Sequence, residues 1–396
     1  MKFKVLTLGC KVNHAESSGL ASVLRGMQLE ETGSAADADI FIVNSCAVTA
    51  ESVRKTKQLL RSLKKKNPDA KRILTGCWPQ AFPEDDFSEA DFVTGTKNRE
   101  ALLDWITAQS DLPQKNIPTY SSGDVFSTLP CADTTRTRAF LKIQDGCNQF
   151  CSYCIIPYAR GRIRSRQPED VYQEVEELSE NGFQEIVLTG IHLSSYGKEI
   201  GTDLITLIEK IHTIPGIRRI RLGSLEPGII TDEFVSRLFA LKKVCPHFHL
   251  SLQSGSDTVL KRMNRHYTSA EYLEKCRLIR SYYQDPALTT DIIVGFPGET
   301  EDEFEDSCRI VRQAGFADVH IFKFSRRSGT PADRMPDQIT EAVKTERAHA
   351  LSKVCACVRE GFISCCDSFS WFWRYSRPDR DCGAVFCGEW FCCFCI

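Results

Sequence analysis

Short apolar, β-branched runs alternate with helix-length amphipathic stretches along most of the chain, and that rhythm restricts the fold more than any other feature. KVLTLG, IFIVNSC and RILTGC read as strands within residues 1 to about 110, each running out into Gly or Cys. SSGLASVLRGM and TAESVRKTKQLLRSLKKK look helical, the second with a strongly basic face. After Arg136 the rhythm returns. AFLKIQDG, EIVLTG, RIRLGS, FHLSLQSG, TTDIIVGF and VHIFKFS are six further strands, with helical stretches such as PEDVYQEVEELSENG and TEDEFEDSCRIVRQAG between or after them. Repeated βα units in one sheet require right-handed crossovers and mostly parallel strands. The fold class is therefore α/β: a parallel-sheet domain, then a partial barrel or strongly curved open sheet of six units. In such sheets ligands gather at the C-terminal ends of the strands. There LTGIH, LGSLEP, LQSGSD and VGFPGET set Gly beside polar side chains.

At 396 residues the chain exceeds one ordinary core. The expected division is a first domain over 1–115, a linker over 116–135 where Pro, Ser, Thr and Gly replace periodicity, a second domain over 136–353, and a tail over 354–396. A formal net charge of −2 gives no global basic field, so any nucleic-acid contact must come from local patches. No apolar run is long enough to span a bilayer, and the opening MKFKVLTLGCKVNHAES reads as a first strand, not a signal peptide. A cytoplasmic location without a membrane partner is expected. Nineteen cysteines in an enzyme-sized chain with no export signal point to metal ligation or thiol chemistry before disulfides.

Residues 146–154 read GCNQFCSYC, which sets Cys147, Cys151 and Cys154 in a CxxxCxxC loop after a strand. Three thiolates do not complete a tetrahedral zinc site without a fourth ligand, and the ferredoxin run uses four cysteines. Three can hold three irons of a [4Fe–4S] cube and leave the fourth open to a small molecule. A zinc knuckle and accidental spacing are the alternatives. In the first domain TLGCKVNHAES, VNSCAVT and LTGCWPQ put Cys10, Cys46 and Cys77 at the C-terminal ends of three strands, where thiols can converge. Singly, each reads equally well as a small buried apolar residue.

CxxxCxxC after the first strand of a six-unit βα domain, with the aromatic Tyr153 before the last Cys, resembles the radical S-adenosylmethionine superfamily. With the three cysteines of the first domain, the chain resembles the methylthiotransferases over about residues 2 to 350. That resemblance implies a Rossmann- or flavodoxin-like first domain with an auxiliary [4Fe–4S] cluster on Cys10, Cys46 and Cys77. It implies a partial (β/α)6 barrel with a second [4Fe–4S] cluster on Cys147, Cys151 and Cys154, and usually a C-terminal RNA-binding β-barrel called TRAM. GCQMN marks the branch that modifies isopentenylated adenosine, and GCxKN the branch that modifies a ribosomal protein. GCKVN, at Gly9 to Asn13, and RTRAFLKIQDGCNQFCSYCIIPYARGRIRSR resemble a third branch. Its members convert N6-threonylcarbamoyladenosine at tRNA position 37 to its 2-methylthio form.

The resemblance implies that S-adenosylmethionine serves twice, as methyl donor to sulfur at the auxiliary cluster and as radical source against an unactivated aryl C–H. The implied partners are tRNA, through its anticodon stem-loop, and a reducing electron donor such as a flavodoxin. The rival functions are a methylthiotransferase acting on another tRNA adenosine or on a ribosomal protein, and an iron–sulfur electron carrier, which would need four-cysteine sites. The resemblance further places Gly190, His192, Ser224, Glu226, Gln253, Ser254, Gly295 and Glu299 in the S-adenosylmethionine pocket. On the residues alone, each is equally a Gly-rich βα turn. Arg160, Arg162, Arg164 and Arg166 in ARGRIRSR follow the cluster loop and are expected to steer tRNA phosphates. Holding the cofactor carboxylate or forming surface ion pairs are the plainer readings. LKRMNRHYTS and FSRRSGTPA are candidates for the substrate mouth, and no catalytic side chain is assigned beyond the cluster ligands.

The tail departs from the family. Nine of the nineteen cysteines fall from Cys355 onward, Lys disappears after Lys353, and neither helical nor strand periodicity is present. A frameshift product in place of TRAM is expected, leaving a truncated copy with impaired tRNA binding. A Cys-rich metal module and an interaction tail are the alternatives.

Overall fold

The structure is a computed structural model that describes residues 1–108, 114–121, 123–127, 129 and 138–365, with side chains to 358. The first domain is one parallel sheet of β1 (Lys2–Thr7), β2 (Glu30–Glu31), β3 (Ile40–Ser45), β4 (Lys71–Gly76), β5 (Phe92–Thr94) and β6 (Gln114–Asn116), in the order β2-β1-β3-β4-β5-β6. That is the flavodoxin-type order, in which the chain changes its direction of travel between β1 and β3 and opens a crevice at their carboxyl ends. Side chains alternate across the sheet. Ile40 and Ile42 face Leu20, Leu24 and Trp105 on one side, while Phe41 and Val43 face Leu60, Leu63 and Trp78 on the other. Covered on both faces, β3 is buried at all six positions.

The second domain begins with β7 (Ala139–Asp145), β8 (Arg164–Ser165), β9 (Glu185–Gly190) and β10 (Arg219–Leu222), in the order β10-β9-β7-β8. It continues with β11 (Ser224–Leu225), β12 (His247–Leu250), β13 (Ala287–Val294) and β14 (Asp318–Lys323), in sequence order. β10 and β11 are separated only by Gly223, and a bridge from Ile220 to Val244 carries the pairing onward toward β12. β8 is antiparallel to β7, and the other pairings are parallel. The result is the expected curved sheet of six βα units. Its outer face is apolar, with Leu141, Ile143, Ile186, Leu188, Ile220 and Ile292 packed in one core with the surrounding helices. Its inner face carries Lys142, Gln144, His249, Ser251, Gln253 and Asp291, all buried.

Local chemistry starts the helices where expected. Capping boxes at Thr49/Ser52, Thr268/Glu271 and Thr300/Glu303 satisfy first-turn N–H groups. Two boundaries differ from the sequence reading. β6 straddles the limit set at residue 115. It is an exposed polar edge strand, so it has no apolar alternation to announce it. The last helix, Glu341–Cys365, crosses the limit at 353, and Val354, Cys355 and Val358 pack against the second domain's core. The rest of the tail, 366–396, and linker residues 122, 128 and 130–135 lie outside the described residues, and with the tail the frameshift and the fate of TRAM. Among the described residues, no helix is long and apolar enough to cross a membrane.

Candidate metal and cofactor centre

Three strand ends of the first domain bring Cys10, Cys46 and Cys77 together. Cys10 caps the helix Lys11–Gly26, Cys46 follows β3, and Cys77 opens the short helix Cys77–Ala81 after β4. Asn13 lies at their centre. Its Oδ1 is 3.7 Å from Cys10 Sγ and 4.0 Å from Cys77 Sγ, and its Nδ2 donates to Leu8 O and Ser45 O. Gly9 permits the approach: with φ of +138°, a Cβ there would lie 2.6 Å from Asn13 Nδ2 and 3.2 Å from Cys46 Cβ.

The second set sits in the loop after β7. Cys147 N–H donates to Gly161 O at 3.0 Å and Ser152 Oγ to Arg262 O at 2.7 Å. Asn264 Nδ2 donates to Gln149 O and Phe150 O, each at 3.2 Å. These bonds tie the loop to the segment after helix Asp257–Arg262 and fix the direction of its thiols.

The donor set fits iron–sulfur ligation. Five of the six sulfurs accept an N–H: from Val48 N to Cys46, Gln149 N to Cys147, Ile156 N to Cys154, Arg160 Nε to Cys77 and Arg265 Nη1 to Cys151, all at 3.3–3.5 Å. Hydrogen bonds to ligand sulfur are a standard means of tuning a cluster. As free thiols Cys147, Cys77 and Cys154 would be inert, because burial pushes Cys147 up to about 12, Cys77 up to about 11, and Cys154 well above the ordinary range. A coordinating metal removes that proton outright. Cys77, Cys147, Cys151 and Cys154 belong to one continuous apolar patch with Val12, Ala47 and Phe296, and Cys10 packs against it. Five of the six cysteines thus border one buried apolar cluster where the two domains meet.

A recess opens on the cysteine loop of the second domain. Cys147, Cys151 and Cys154 line it with Gln149, His192, Ser224, Glu226, Ser251, Gln253 and Arg265. Of the sequence candidates, His192, Ser224, Glu226 and Gln253 thus reach the recess, and Gly190, Ser254, Gly295 and Glu299 are not among its lining. Gly295 N–H donates to Glu299 Oε2 at 2.7 Å, and Arg347 pairs with the same oxygen at 2.8 Å, so that turn anchors the last helix. Ser254 Oγ accepts from Ser256 N within its own turn.

The recess holds one cluster of charged side chains. Glu226 accepts from Gln149 Nε2 at 3.0 Å, lies 3.2 Å from His192 Nε2 and pairs with Arg265 at 3.7 Å. Burial opposes its charge, yet His192 and Arg265 outweigh burial and hold it below the ordinary carboxylate range. Gln253 has a positive φ of 73°, uncommon for a side-chain-bearing residue, and its buried Oε1 has no hydrogen-bond partner among the described residues. Sequence reasoning missed Gln149 and Ser251. Arg265 lies in LKRMNRHYTS, read only as substrate mouth.

The arginine run is corrected. Arg160 is fully buried, and Arg164 and Arg166 are nearly so. Arg160 binds Glu16 and Asp145, Arg164 caps the carbonyls of Arg160 and Arg162, and Arg166 pairs with Glu174. Internal carboxylates and carbonyls occupy these three cations, which leaves Arg162, stacked over Phe150, as the exposed member.

Comparisons with known proteins agree with this architecture. Residues 141–311 match the Radical SAM superfamily and residues 2–95 the Uncharacterized protein family UPF0004. The chain is 40% identical over 352 residues to the threonylcarbamoyladenosine tRNA methylthiotransferase MtaB of Bacillus subtilis, covering 87% of this chain and 78% of that protein. It is also 40% identical over 367 residues to a tRNA-2-methylthio-N(6)-dimethylallyladenosine synthase of Pelotomaculum thermopropionicum, covering 89% and 82%. Among solved structures, a radical S-adenosylmethionine methyltransferase, TsrM, from Kitasatospora setae shares the fold with TM-score 0.60 at 14% identity, covering 84% of this chain and 75% of that one.

Proposed function

The chain belongs to the radical S-adenosylmethionine methylthiotransferase family, and from that premise we propose that it methylthiolates N6-threonylcarbamoyladenosine at position 37 of tRNA. One observation carries the reading: two separate three-thiol sets, each supplied with N–H donors, meet at one buried apolar cluster. In this reading Cys147, Cys151 and Cys154 hold a [4Fe–4S] cluster with an open iron, and Cys10, Cys46 and Cys77 hold an auxiliary one. Bound there, the clusters and S-adenosylmethionine supply the one-electron and sulfur chemistry that an aryl C–H demands.

The chain's own residues orient and exclude. Glu226 and Arg265 present opposite charges to the zwitterionic end of S-adenosylmethionine beside the cluster loop. Gln253 Oε1 and Ser224 offer polar contacts further along the recess. Ile191, Leu225 and Phe150 line the same recess and keep water from the reacting atoms. The GCKVN motif supports the threonylcarbamoyl substrate over the dimethylallyl one.

The test uses anaerobically reconstituted protein with dithionite, S-adenosylmethionine and two tRNAs, one threonylcarbamoylated and one dimethylallylated. Nucleoside mass spectrometry should show the methylthio product of the first. Product from the second alone would overturn the substrate assignment. Cys46→Ala should still cleave S-adenosylmethionine but stop insertion, and intact insertion would make the first domain's thiols structural.

A further inference from the structure

Three adjacent strands of the barrel carry a further group of ligand-type side chains, none of them a cysteine. His249 is on β12, Asp291 on β13 and His320 on β14, with Asp291 and His320 in direct register. One ligand atom from each lies within 4.8 Å of the other two. All three point to the inner face, since Leu250, Ile292 and Ile321, their neighbours along the strands, pack outward. His249 is two positions before Ser251 on the same strand end, so the group lies one layer beneath the recess.

The polar bookkeeping there does not close. Asp291 is 1% exposed, yet among the described residues neither carboxylate oxygen accepts a hydrogen bond. Burial pushes the Asp291 carboxyl up to about 8, against the opposing fields of His320 and of Lys11, which reaches in from the first domain. The nearest group is His249 Nε2, 3.2 Å from Oδ2. His249 Nδ1 is 3.0 Å from Thr289 Oγ1. When Nδ1–H donates to that hydroxyl, Nε2 turns a lone pair toward a carboxylate oxygen, and a cation between them resolves the opposition. Ligating histidines commonly use the second ring nitrogen in this way, to hold tautomer and orientation. A buried carboxylate otherwise carries a large desolvation cost.

We propose that His249, Asp291 and His320 form a binding site for one divalent transition-metal ion, zinc foremost, inside the barrel beneath the cofactor recess. Two imidazoles and a carboxylate suit zinc and its first-row neighbours, and three protein ligands leave a coordination position for water. The ion pins β12, β13 and β14 at mid-barrel and supplies positive charge below the recess. The site is independent of which adenosine the enzyme modifies.

The experiment is done on cluster-loaded protein, so that the six cluster cysteines are occupied. Wild type, Asp291→Asn and His320→Ala are equilibrated with micromolar free zinc and gel-filtered. Zinc and iron are counted by mass spectrometry, and zinc X-ray absorption reports the ligands. The expected result is about one zinc with a nitrogen/oxygen shell in wild type and its loss in both variants, with iron unchanged. Circular dichroism checks their folding, and Asp291→Asn is isosteric, so it keeps the test open should His320→Ala fail to fold. Zinc found only in a sulfur shell belongs to other cysteines and overturns the site, as does nitrogen/oxygen-bound zinc that persists in either folded variant.

Discussion

Arg160 holds two domains and a thiol with one side chain. Its Nη1 binds Glu16 at 2.8 Å and Asp145 at 3.2 Å, its Nη2 reaches Asn13 Oδ1 at 2.9 Å, and its Nε donates to Cys77 Sγ at 3.3 Å. Burial alone would neutralise the two acids. The cations Arg160, Arg99 and Lys142 hold Glu16 well below its ordinary value, and Lys142 and Arg160 hold Asp145 at about 2. Both are therefore charged at neutral pH, and removing the guanidinium strands them. Arg160→Met should lower stability by about 3–5 kcal/mol, as breaking buried pairs does. Arg162→Met, at an exposed site, should stay within about 0.5 kcal/mol. Anaerobic urea denaturation of both variants decides, and equal midpoints would refute the assignment. In the sequence the four arginines of ARGRIRSR look equivalent. What separates them is Glu16, 144 residues before Arg160, and no local pattern announces a pairing at that distance.

At the scale of elements, the chain is most legible where one local rule suffices. The run Ile40–Val43 is continuous and apolar because both faces of its strand are covered, and it was readable for that reason. The edge strand Gln114–Asn116 pairs through its backbone alone and was invisible. Cysteines at strand ends were legible as a set, whereas Gln149 and Ser251 enter the recess through loop geometry that spacing does not encode. The helix Glu301–Ala314 adds a testable case. Glu303 closes its capping box with Thr300 and also binds Arg262, whose carbonyl accepts from Ser152 in the cluster loop. The Arg262 hydrogen bond is the largest influence on Glu303 and helps hold it at about 2, against an ordinary 4.5. Lowered on folding, this group adds stability above about pH 4.5 and loses it as pH falls toward 2. Glu303→Gln should cost about 1–2 kcal/mol at pH 7, with the gap to wild type narrowing below pH 4.5. Urea melts at pH 7 and pH 4 measure it, and a gap that widens in acid would contradict the pairing.

For the whole molecule, the question is whether the two domains act as one body. The barrel's polar inner face would be costly if it faced only itself. It is instead closed by the first domain: Lys142 binds Glu16 at 2.8 Å, Thr96 Oγ1 donates to Ala159 O at 2.7 Å, and Ala50 N to Ser325 Oγ at 3.0 Å. The guanidinium of Arg327 lies 4.6 Å over the ring of Phe82. With both thiol sets bordering one apolar patch, a sulfur carried on one side need cross no bulk water to reach the other. That arrangement requires a rigid joint, and rigidity has a thermodynamic signature. Glu16→Gln and Lys142→Met should each destabilise, and together they should cost less than their sum by about 1–3 kcal/mol, because both remove one shared contact. Wild type should unfold in a single transition by both fluorescence and circular dichroism. Additive costs, or a first domain that melts separately, would mean that the joint opens. Methylthio transfer would then depend on a closing motion, and its rate would fall with solvent viscosity instead of following the chemistry.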